Sequence, residues 1–152
     1  LIEVKAKSIN PHEKHIFVGP KGGLSSSWKP YLFDLAFQTH VAKLCLPNFK
    51  ITPYLCLVDK TKTATVDGLN QLFRIKQGVN NKTEVTVLDK NISRLGNSLL
   101  TEMDLSEVVK SIHNDTFKYY ENLNFLESIF VQCNVICFIF SYFTNCFQFF
   151  IR

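Results

Sequence analysis

Apolar and polar positions along the chain fall into runs of different period, and the periods predict its elements. In Leu1-Ile2-Glu3-Val4-Lys5 they alternate, which predicts a strand with Ile2 and Val4 turned into a core and Glu3 and Lys5 sharing the other face. Asn10 to Pro30, rich in Gly, Pro, Ser and Lys around Gly19-Pro20-Lys21-Gly22-Gly23, reads as a loop. Inside it His15-Ile16-Phe17-Val18 suits a short edge strand, and the single Trp28 is expected to pack the loop down rather than stack on a base. From Pro30 to Cys45 the spacing turns helical, with Leu35, Val41, Leu44 and Cys45 set against Gln38, Thr39 and Lys43. Asp34 is placed in the first turn of that helix and Pro47 ends it. Ile51 to Asp59 reads as a strand buried on both faces, and Thr63 to Val66 as a strand paired next to it. Asp67-Gly68 marks a turn. From Thr83 onward Val85, Leu88, Ile92, Leu95 and Leu99 recur at threes and fours, predicting an amphipathic helix, and Leu105, Val108, Val109 and Ile112 predict its continuation or a second one. These stripes are core, and they span too few heptads for a coiled coil.

A chain of 152 residues is long enough for one domain with a core and too short for two of typical size. The expected division is a domain at 1–120 and a hydrophobic, Phe-rich tail at 121–152. The expected fold class is α/β, a mixed central sheet flanked by helices, followed by the hydrophobic C-terminal segment. Residues 128 to 151 carry no charged group and have the length of a bilayer span, although Gln132, Asn134, Ser141, Thr144, Asn145 and Gln148 interrupt them. That tail is read as a membrane association or, in preference, as the product of a frame change in AT-rich DNA.

The formal net charge of +4 permits a polyanionic partner without requiring one. Five cysteines, an odd number with no secretory signal at the start, point to reduced thiols in the cytoplasm, with membrane association through the tail as the alternative.

Two patterns bear on chemistry. Glu3 and Lys5, two apart on one strand, place a carboxylate that can ligate Mg²⁺ beside an ammonium that can orient water or stabilise phosphate charge. The plainer reading of the same pair is an ion pair at a strand end. Gly19 to Gly23 is no Walker loop, since the Gly-Lys-Ser/Thr ending is missing. A non-catalytic alternative uses Lys5, Lys7, Lys14, Lys21 and Lys29 as a basic rim for nucleic acid, or for a protein partner of unknown kind.

Leu1 to Ser8, Tyr31 to Gln38, Tyr54 to Asp59 and Asp67 to Phe73 together resemble the PD-(D/E)xK nuclease superfamily, in the branch of the Cas4-like and RecB-like nuclease domains, and within it a bacterial Cas4-like group, DUF2779. The resemblance covers residues 1 to about 110. It implies a restriction-endonuclease-like core, cleavage of phosphodiester bonds in DNA, and Mg²⁺ or Mn²⁺ as cofactor. It gives catalytic roles to Glu3, Lys5 and Gln38, with Glu3 as metal ligand. The family places a further metal-binding Asp on a strand before the Glu-x-Lys strand, so the chain reads as a fragment, inactive by itself. Where RecB-like members carry Tyr, four residues past the glutamine, this chain has Ala42. Cas4-like proteins also end in iron-sulfur cysteines; Cys133, Cys137 and Cys146 fall in that region without a fourth ligand, so no cluster is expected.

Overall fold

A computed structural model describes residues 1–78, 82–88 and 95–129. The architecture is mixed α/β: strands β1 (Ile2–Ile9), β2 (Tyr54–Asp59), β3 (Phe73–Gln77), β4 (Thr83–Val87) and β5 (Leu100–Asp104), with helices α1 (Lys29–Cys45) and α2 (Ser106–His113). The described residues divide into two compact units, the first holding residues 1–3, 14–55 and 104–129, the second 4–13, 56–78, 82–88 and 95–103.

In the first unit α1 packs on α2. Pro30 sits in the opening turn of α1, where a missing N–H costs nothing, and Pro47 lies two residues past its last turn. Lys43 in that last turn complements the negative end of the helix. The buried stripe of α1 is Leu32, Leu35, Ala36 and Thr39, spaced at threes and fours. This face differs in part from the one the spacing predicts. Leu44 and Cys45 are exposed, whereas Thr39 is fully buried. A hydroxyl survives there because Thr39 Oγ1 donates to the Leu35 carbonyl one turn back, at 2.7 Å. Asp34 lies in the second turn, and the first turn carries no acid. On α2, Val109 and Ile112 are buried as their spacing predicts.

The loop ahead of α1 forms no edge strand. Val18 and Leu24 make one isolated bridge, and Phe17 and Trp28 turn inward with rings 5.2 Å apart. Trp28 therefore packs the loop down, as expected.

The second unit holds most of a three-stranded sheet ordered β1-β2-β5. Tyr54 N–H bonds the Leu1 carbonyl at one end and Lys60 N–H the Ile9 carbonyl at the other, so β1 and β2 run parallel. Asp59 bonds Leu99 and Leu105 bonds Pro53, which makes β5 antiparallel to β2. Two parallel strands need a long crossover, and α1 lies in it. The alternation read in β1 is present, but its faces are reversed. Ile2 and Val4 are 53% and 64% exposed, while Glu3, Lys5 and Lys7 are half-buried. The covered face is the one that ends in Ile9, itself buried, and lysine stems tolerate partial cover as long as the ammonium reaches water.

Thr63–Val66 is not a strand; the chain there turns into a short 3₁₀ segment, Leu69–Leu72, entered through Gly68 at φ 68°. The amphipathic helix expected from Thr83 is also absent from the described residues. Thr83–Val87 is β4, antiparallel to β3, with Phe73 opposite Val87 and Ile75 opposite Val85. Thr-Glu-Val-Thr-Val alternates at period two with β-branched residues, and that local signal outweighs the threes-and-fours spacing drawn from more distant residues.

Among the described residues no helix is long and apolar enough to cross a membrane. The expectations for most of the tail, and for Cys133, Cys137 and Cys146, lie outside the described residues.

Candidate functional site

Strand alternation puts Glu3 and Lys5 on the same half-buried face of β1, and the chain passes from the first unit to the second between Glu3 and Val4. Gln38 lies in the middle of α1, in the first unit, partly exposed. One turn separates it from Asp34, and its Nε2 donates to Asp34 Oδ1 at 3.2 Å. This i, i+4 bond fixes the amide on the helix surface and leaves the amide oxygen unused by it.

The donor set can be weighed against Mg²⁺ or Mn²⁺. Mg²⁺ takes six oxygen ligands and surrenders water reluctantly. The positions carried over from the family supply one carboxylate, Glu3. Among the described residues no three side chains of His, Cys, Asp or Glu gather to hold a cation.

Lysines of the expected basic rim fall in different places. Lys14 and Lys21 are exposed and Lys29 is half-buried, all in the first unit, while Lys5 and Lys7 belong to the second.

Two clusters lie outside the residues singled out from the sequence. In the second unit buried Asp59 accepts from Thr61 N–H at 2.9 Å and Thr61 Oγ1 at 2.7 Å, with Lys62 Nζ 3.8 Å away. The Thr61 hydroxyl first, then its amide and the lysine charge, hold the carboxyl below its ordinary range. Asp-x-Thr at the end of a strand is a turn signal that could have found it.

In the first unit the rings of His40 of α1, His113 of α2 and Phe125 meet edge-on or tilted, with His113 4.7 Å from Phe125 and 5.9 Å from His40 between ring centres. His113 Nε2 meets the Ala36 carbonyl at 2.9 Å, tying α2 to α1. Burial lowers the His113 pKa from its ordinary 6.5, opposed by the Ala36 carbonyl and aided by the Lys43 and His40 charges. The folded unit therefore prefers neutral His113. Its contribution is complete above the unfolded pKa and is lost as pH falls below 6.5 through the lower folded value. Thermal unfolding followed from neutral pH down through that range is expected to show a falling midpoint, with a shallower fall in His113→Gln. An equal fall in both would remove His113 as the cause.

Comparison with protein-family models, with characterised proteins and with solved structures returned no match.

Proposed function

We propose that the chain carries the Glu-x-Lys strand and the glutamine-bearing helix of a Mg²⁺-dependent DNA nuclease domain with a restriction-endonuclease-like core. The observation that carries this reading is the order β1, α1, β2, with parallel strands around the helix and Glu3 and Lys5 on one half-buried face of the first strand. In this reading Glu3 ligates the metal, Lys5 holds charge on the scissile phosphate or orients water, and Gln38 positions that water. A bound metal would supply Lewis-acid activation of the phosphodiester. Glu3 is one carboxylate, and Mg²⁺ held by a single protein carboxylate binds weakly.

DNA incubated with the chain and Mg²⁺ is expected to show no cleavage beyond that of Glu3→Ala. The same chain joined to an upstream, aspartate-bearing strand is expected to cleave, and Glu3→Ala or Lys5→Ala then to lower the rate on the order of a hundredfold or more, the loss of several kcal/mol at the transition state. Cleavage by the extended protein that survives Glu3→Ala would refute the reading.

The alternative is nucleic-acid binding without chemistry, through lysines such as exposed Lys14 and Lys21. It predicts salt-sensitive DNA binding that Glu3→Ala leaves unchanged.

A further inference from the structure

An open cleft of about 230 Å³ lies in the first unit, lined among the described residues by Gly23, Leu24, Lys29, Thr116, Phe117 and Lys118. Its chemistry is one-sided: two lysines, a threonine, a phenylalanine and a leucine, with no Asp or Glu among the described lining residues. Lys29 is also held in place. Its Nζ donates to the Tyr119 carbonyl at 3.0 Å and stands 5.5 Å from the centre of the Tyr119 ring. That ring is fixed in turn by edge contacts to Phe33 and Tyr120, each at 4.9 Å. A carbonyl and a ring are neutral partners, and an ammonium that gives one N–H to a carbonyl retains two. On the loop side, a side-chain carbon added at Gly23 would meet nothing within 4 Å, so a ligand can approach the backbone there.

A bare anion would use the lysines and leave Phe117 and Leu24 idle. A duplex keeps its base faces stacked inside the helix, out of reach of a ring in a cleft. A single strand offers both an anionic backbone and an open base face, the pairing that basic grooves with aromatic walls recognise.

We propose that this cleft binds one nucleotide of single-stranded DNA, with Lys29 and Lys118 on the phosphates either side of it and Phe117 and Leu24 against the base. The inference rests on the nucleic-acid reading above and adds to it the strandedness and the place of contact.

The test is binding of a labelled oligothymidylate to the full chain in EDTA, followed by fluorescence anisotropy across a salt series. The unaltered chain is expected to bind more weakly as salt rises. Lys29→Gln with Lys118→Gln is expected to reduce the slope of log affinity against log salt by about 1.4, or about 0.7 for each phosphate no longer neutralised. Lys118 is exposed, so Lys118→Gln alone, with an expected reduction of about 0.7, carries the test if the double variant misfolds. Phe117→Leu is expected to weaken binding roughly five- to a hundredfold at unchanged slope. No binding by the unaltered chain, an unchanged slope in a folded Lys118→Gln, or equal affinity for duplex and single strand would each overturn the proposal. Cleavage is read separately with Mg²⁺ and Glu3→Ala, so the nuclease reading can fail while this one stands, and the reverse.

Discussion

Leu35→Ala is expected to destabilise the first unit by about 2–5 kcal/mol, enough to remove much of the stability of a small domain. Leu35 is fully buried in the middle of the inward stripe of α1, with Leu32, Ala36 and Thr39 around it on the same face. Truncation there loses the transfer free energy of the side chain and leaves a cavity that a close-packed neighbourhood fills only in part. The internal control is Leu44→Ala. Leu44 lies nine residues further along the same helix, is 69% exposed, and is expected to change stability by no more than about 0.5 kcal/mol. Because the chain has two units, denaturation should be followed by far-ultraviolet circular dichroism and by Trp28 emission in parallel, since a single transition is not guaranteed. A loss at Leu44 equal to that at Leu35 would mean that the inward face of α1 has been misassigned.

The comparison of these two leucines shows what sequence could and could not convey. The existence of α1 was legible, because Pro30 and Pro47 bracket a run with helical spacing. Its face was not, because leucines occur on both sides of it and Thr39 looks polar until its hydroxyl finds the Leu35 carbonyl. β1 repeats the lesson. Its alternation was visible, but which face is covered depends on a tertiary fact, and Ile2 and Val4, apolar by type, face outward. α2 was legible because Val109 and Ile112 give a short, clean stripe. At Thr83–Val87 two periodicities compete, and the shorter-range one describes the structure. For the candidate site, Glu3 and Lys5 were read from the strand pattern and Gln38 from resemblance alone, whereas Asp34 as the partner of Gln38 follows from i, i+4 helix geometry and could have been read. Phe117 and Lys118 had no local signal at all, since they line the proposed cleft together with Lys29, which bonds the neighbouring Tyr119 carbonyl from 90 residues away.

Trp28→Ala is expected to cost the first unit about 3–5 kcal/mol, the range for deleting a buried indole. Trp28 occupies the position before the first turn of α1, and its ring makes edge contacts with Phe17 at 5.2 Å and Tyr31 at 5.9 Å. Phe17 lies in a loop with almost no ladder of its own, so the Trp28 contact replaces the strand pairing that the loop does not make. Removing the ring should therefore release the loop before it melts the helices, which predicts faster tryptic cleavage after Lys14 and Lys21 at temperatures where circular dichroism is still native. Trp28→Phe, which keeps an aromatic edge against Phe17, is expected to retain most of the stability. The same substitutions decide between packing and nucleic-acid stacking for this side chain. A Trp28 that stacked on a base would leave stability nearly unchanged on truncation and lower DNA affinity directly. A packing Trp28 lowers affinity only as far as the loop that carries Gly23 and Leu24 comes undone, so affinity loss and proteolytic exposure should rise together and both be rescued by Trp28→Phe.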